Sequence, residues 1–134
     1  MEGILERGGK AVKQIRIILG DLVLDGHLND SPTAQKVWEA LPIETSFSTW
    51  GDEIYFSIPV AMERESDARE LVQSGDLGYW PSGNAFCIFF GPTPISNEGE
   101  IRPASAVNII GRITGDSARL KERLSENLIR VEKE

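Results

Sequence analysis

Ala85–Phe90 (AFCIFF) is an apolar run with a turn signal at each end, and it limits the folds open to this chain more than any other stretch. Before it, Pro81–Ser82–Gly83–Asn84 presets one φ and supplies two residues that tolerate a positive one. After it, Gly91–Pro92–Thr93–Pro94 cannot continue a ladder, because each proline lacks an N–H. The run is too short for a buried helix and has no polar interruption. It predicts a strand covered on both faces, such as a barrel wall with something packed outside it. Asp76–Trp80 (DLGYW) leads into it as a short extended piece after Gly75.

The rest of the chain supplies partners for that strand. Gln14–Gly20 and Asp21–Leu28 predict two strands, the second ending at the Asp25–Gly26 turn, a strong short hairpin signal. Ser31 caps a helix with Pro32 at its first position, and Ala34, Val37, Trp38 and Leu41 form its apolar face. Trp38 is a core anchor at helical spacing, and Pro42 stops the helix. Ile43–Trp50 and Glu53–Pro59 alternate with period two around Gly51–Asp52, predicting a hairpin. Ile54, Phe56 and Ile58 make its dry face; Glu53 and Tyr55 lie on the opposite one. A short helix is expected from Ser66 to Ser74, with Ala68, Leu71 and Val72 on one face. Ile95–Pro103 predicts an exposed loop, a place where function concentrates. Ala104–Thr114 predicts a strand with a bulge or corner at Gly111. Asp116–Ser117 caps a last helix carrying Leu120 and Leu124, and Leu128–Val131 closes as a strand before an exposed Glu132–Glu134 tail. Met1–Lys13 is expected to be a loose tail or edge segment, and 14–134 a single domain. Short strands at regular spacing with two or three short helices argue for a mainly β barrel rather than βαβ units.

The order Tyr79–Trp80–Pro81–Ser82–Gly83–Asn84–Ala85, an apolar strand, then Gly91–Pro92–Thr93–Pro94, resembles the atypical cyclophilin-like domains of archaea and bacteria. These keep a cyclophilin barrel but lack the usual prolyl-isomerase residues. The resemblance spans roughly residues 14–115, with Tyr79–Pro94 its most specific part. It implies a closed, eight-stranded antiparallel barrel capped by helices, and no particular activity.

Composition bounds the function. The 134 residues carry a net charge of −7, and no basic stripe offsets phosphate repulsion, so nucleic acid is not expected as a partner. No apolar stretch reaches membrane length, and no signal peptide is evident; a cytoplasmic protein with no membrane partner is expected. The single cysteine, Cys87, cannot form an intramolecular disulfide and is expected as a buried, inert thiol. One histidine and one cysteine cannot build a nitrogen- and sulfur-ligated metal site, and no calcium loop is present, so neither a metal nor another cofactor is expected. A nucleophilic triad would have to use His27, which follows a hairpin turn. The oligomeric state stays open.

What remains is recognition of something apolar with polar edges, a peptide or a small molecule. Trp50, Tyr55, Tyr79, Trp80 and Phe86 supply aromatic surface, and Glu53, Asn84 and Arg102 supply directed polar groups. Trp80 and Phe86 serve equally well as core, and Asn84 as a turn residue. Trp50, Tyr55 and Trp80 are expected to line one concave patch. Prolyl isomerisation faces a barrier of about 18–20 kcal/mol, lowered by a donor aimed at the prolyl nitrogen. In ordinary cyclophilins, a strand arginine in a Phe–His–Arg–x–Ile–Pro–x–Phe–Met pattern provides it. Aligning Ile58, Pro59 and Met62 on that pattern puts Phe56 where the arginine belongs, and Arg64 lies near the place of the missing glutamine. Little or no isomerase activity is therefore expected. A divergent isomerase using Arg102 or Arg64 is the alternative; a domain related to amidohydrolases of urea derivatives is a third reading, by fold analogy alone.

Overall fold

The computed structural model describes residues 13–134, so the expectation for Met1–Lys13 lies outside the described residues except for Lys13, which opens the first strand. The strands are β1 (Lys13–Leu19), β2 (Leu22–Leu28), β3 (Ile43–Ser46), β4 (Ser48–Thr49), β5 (Glu53–Ser57), β6 (Asp76–Trp80), β7 (Ala85–Phe89), β8 (Asn108–Ile113) and β9 (Leu128–Lys133). One helix, α1 (Pro32–Ala40), lies between β2 and β3. Ser31 caps it by accepting from the Ala34 N–H, and Ala34, Val37 and Leu41 bury its inner face. Trp38 is half-buried against the core, and its outer ring face carries the Lys133 ammonium at 4.7 Å.

All nine strands join one antiparallel sheet in the order β3-β9-β1-β2-β8-β6-β7-β5-β4. Its two ends, β3 and β4, are consecutive in the chain and separated by Phe47 alone. The predicted Ile43–Trp50 strand is thus one strand broken at Phe47, pairing with β9 along its first half and with β5 along its second. That path closes the sheet into a barrel. Counted without the break, the barrel has the expected eight strands. Phe47 packs against the interior.

β7 is buried along its whole length, as its unbroken apolar run requires. Phe86 and Ile88 point into the barrel beside Ile54, Phe56, Leu77 and Tyr79, with the Phe56 and Phe86 rings stacked at 5.1 Å. Ala85, Cys87 and Phe89 point outward into a second, smaller core with Val72 and Val107. Two loops cover that outer face: 58–75, and 91–107.

The first of these loops corrects one expectation. Ser66–Ser74 is not a helix; Arg69 pairs with Val107 and Val72 with Ile101 through backbone bridges. These bridges, set between turns, bury Val72 on the outer wall and leave Leu71 to solvent, and a helix this short is marginal without tertiary packing along one face. Four further boundaries shift. β2 runs straight through Asp25–Gly26, which pair with Arg16 and Ile15 on β1, so the turn expected there is absent and the ladder continues to Leu28, buried in the core. The strand expected from Ala104 begins at Asn108, and the last helix is a 3₁₀ segment, Ser117–Arg123, capped by the Asp116 carboxylate and anchored by fully buried Leu120. β9 runs through Lys133, where Glu132 meets Arg16 and Arg130, so the expected Glu132–Glu134 tail is largely strand. The irregularity foreseen near Gly111 is present: between Leu77 and Gly78 the β6–β8 register skips Ile110. A Cβ on Gly111 would stand 2.0 Å from the His27 carbonyl oxygen, so only glycine fits.

Among the described residues no helix is long and apolar enough to cross a membrane.

Candidate functional site

The outer wall carries a cavity of about 190 Å³ lined by Trp50, Glu53, Tyr55, Trp80, Cys87, Pro103, Ala104 and Val107. Strand alternation explains the convergence. Glu53 and Tyr55 share the outer face of β5, and their register partners on β7 are Phe89 and Cys87. Trp80 pairs with Ala85 at the end of β6 on that same face, and the Gly51–Asp52 turn after β4 brings Trp50 to the rim, its N–H donating to the Glu53 carbonyl at 2.9 Å. The 91–107 loop supplies the remaining wall. Ser96 ties it together, its hydroxyl accepting from the Thr93 and Arg102 N–H groups at 2.9 Å each. The Trp80 indole is held from two sides: its Nε1 donates to Ser105 Oγ at 2.6 Å, and Gly83 lies so close that a Cβ there would meet the ring at 2.7 Å.

A family model described as Cyclophilin-like matches residues 13–132. The chain belongs to that family. Among solved structures, a hypothetical protein from Archaeoglobus fulgidus, determined in solution, is similar at 38% identity and a TM-score of 0.75, over 92% of this chain and 95% of its own. None of the curated proteins matches this chain.

In this cyclophilin-like domain the polar centre of the cavity is Glu53. Only 6% of the residue is exposed, and its Oε1 has no hydrogen-bond partner among the described residues. Burial raises its carboxyl to about 7, and the neighbouring Cys87 thiol opposes that shift only in part. The thiol's own hydrogen bond runs to the Ala85 carbonyl, at 3.9 Å. Burial, and then the Glu53 charge, hold the Cys87 thiol well above its ordinary range, so it is a neutral wall group rather than a nucleophile. Among the described residues, no lysine, arginine or histidine lines the cavity. Among the described residues no group of three or more His, Cys, Asp or Glu could hold a metal ion.

The structure brings Trp50, Glu53, Tyr55 and Trp80 together and puts the other candidates elsewhere. Tyr79 and Phe86 point into the barrel. The Tyr79 hydroxyl donates to the Val60 carbonyl at 2.6 Å and accepts from the Met62 N–H and from Asn84 Nδ2, which pins the 58–75 loop to the barrel end. Asn84 ends the 3₁₀ turn Pro81–Gly83 in the left-handed conformation (φ 48°). Arg102 pairs with Glu100 at 2.9 Å and lines, with Arg64 and Glu70, a separate depression on the far side of Pro103 and Ala104.

Sequence reasoning missed two sets of residues. Pro103, Ala104 and Val107 reach the cavity through loop packing that no local pattern announces. Thr33, Glu65 and Asn108 form a buried network: Glu65 accepts from the Thr33 N–H and hydroxyl, while Asn108 accepts from the Glu65 N–H at 2.8 Å and donates to Thr33 Oγ1 and the Glu63 carbonyl at 3.0 Å each. It locks the cover loop to the start of α1. Asn108, the polar residue just before the apolar pair Ile109–Ile110, is the available signal.

Proposed function

We propose that this domain binds a peptide side chain or a small molecule in the outer-wall cavity and has little or no prolyl-isomerase activity. One observation carries the reading: three aromatic side chains surround a buried carboxyl whose Oε1 has no partner. A buried polar group without a partner costs stability, and a ligand that supplies one recovers it. The cavity is smaller than the roughly 300–1,000 Å³ of sites for drug-sized ligands, which favours one side chain or a compact molecule over an extended backbone. Isomerase chemistry needs a donor at the prolyl nitrogen, and both candidate arginines lie beyond the Pro103–Ala104 ridge, Arg102 already engaged by Glu100.

Exchange NMR on X–Pro peptides, with and without the protein, tests both halves. Ligand line shifts without faster cis–trans exchange are the expected result. Accelerated exchange that disappears in Arg102→Ala or Arg64→Ala would replace this reading with a divergent isomerase. No effect at millimolar peptide would restrict the ligand to small molecules.

A further inference from the structure

The chemistry of the cavity specifies the charge of its occupant. Among the described residues the one charged lining group is Glu53, an acceptor when ionised, and a buried carboxylate with an unpartnered oxygen calls for a donor. Trp50, Tyr55 and Trp80 supply three aromatic rings to the lining, and aromatic ring faces attract cations, the more so when desolvated. Among the described residues no cationic side chain lines the cavity, so an anion there would meet a carboxylate with no cation beside it. The indole N–H of Trp80 is already spent on Ser105. The chain's net charge of −7 adds a long-range field of the same sense.

We propose that the cavity takes a small organic cation, a primary alkylammonium, which donates N–H to the Glu53 carboxylate while its carbon stem lies between Trp50, Tyr55 and Trp80. The inference rests on the cavity being a ligand site and adds the ligand's chemical class. The groups that titrate or carry charge around Glu53 are Tyr55 on its own strand and Cys87 on β7; β6 and the Pro103–Val107 wall contribute none to the lining. Asp52, next in the chain, is turned to Lys121 at 3.6 Å. Binding an ammonium therefore requires Glu53 to release its proton, and affinity rises with pH to a plateau.

The test is an NMR titration of the Trp50 and Trp80 indole N–H signals with n-butylammonium, n-butanol and butyrate, at pH 8 and pH 6. At pH 8 butylammonium is expected to bind at least about tenfold tighter than butanol, with butyrate silent. Its affinity falls about tenfold by pH 6, as one proton is restored. Glu53→Gln removes the preference for butylammonium over butanol. Butanol matching butylammonium in the native protein, or butyrate binding, overturns the cation while leaving the cavity a ligand site. If none of the three moves the indole signals, the ligand-site reading falls with it. A capped lysine (Nα-acetyl-lysine N-methylamide) identifies the source: binding at least as tight as butylammonium assigns a peptide-borne lysine, and weaker binding a free amine.

Discussion

Glu53 and Cys87 stand diagonally across the β5–β7 ladder on its outer face, a carboxyl and a thiol sharing one largely buried corner of the cavity wall. The barrel interior does not need either of them. The corner costs stability in a way that pH exposes.

Glu53 is raised to about 7 in the folded chain from an ordinary value of 4.5, so the native state holds a proton that the unfolded state releases between those values. Its effect on stability is neutral below about pH 4.5, turns increasingly unfavourable as pH rises, and levels off above 7. Glu53→Gln should match the native protein at pH 4.5 and exceed it at pH 8 by up to about 3 kcal/mol. Urea unfolding of both proteins at the two pH values measures the difference. Equal stabilities at pH 8 would mean the carboxyl is solvated.

Cys87 is 1% exposed, and its thiol is held in the neutral form. A thiol reagent at pH 8 should modify the native protein on the order of 100-fold more slowly than the urea-unfolded chain. Fast native labelling would show that the outer wall opens.

Gly83→Ala places a methyl against the Trp80 ring. The ring has to leave the Ser105 hydroxyl, at a cost of about 1–3 kcal/mol. The Trp80 indole N–H signal should shift while that of Trp38, on α1, stays put. An unmoved Trp80 signal would mean that the turn, not the ring, gives way.

Asn108→Ala removes a side chain that serves Glu65, Thr33 and Glu63 together, and should cost about 2–4 kcal/mol. Hydrogen exchange should then rise in 58–75 before it rises in β7, because the network anchors the cover and not the wall. Uniform loss of protection would show that cover and barrel unfold as one.

Period-two alternation made part of this architecture legible in advance. It put Ile54 and Phe56 on one face of β5 with Glu53 and Tyr55 on the other, and the six apolar residues from Ala85 required a strand covered twice. The faces were readable because they follow from each residue's own neighbours. The covers were not. Ser66–Ser74 carries a cap and an apolar spacing that suit a helix, yet its backbone pairs with residues about thirty to forty positions away. For the same reason the burial of Glu53 was hidden: its face was evident, but the loop that dries it comes from Pro103–Val107. Tyr79 and Phe86, drawn into the aromatic set by composition, point inward because β6 and β7 place Trp80 and Ala85 on the other side.

The break at Phe47 gives the barrel a seam. Both edges of the sheet meet there through the chain itself, so shutting the cylinder depends on a covalent connection rather than on a ladder between β3 and β4. A circular permutant opened at Phe47 would keep each strand's neighbours and yet be free to uncurl. Trp50 hangs three residues from that seam, so the rim of the cavity belongs to the part of the cylinder with the fewest rungs.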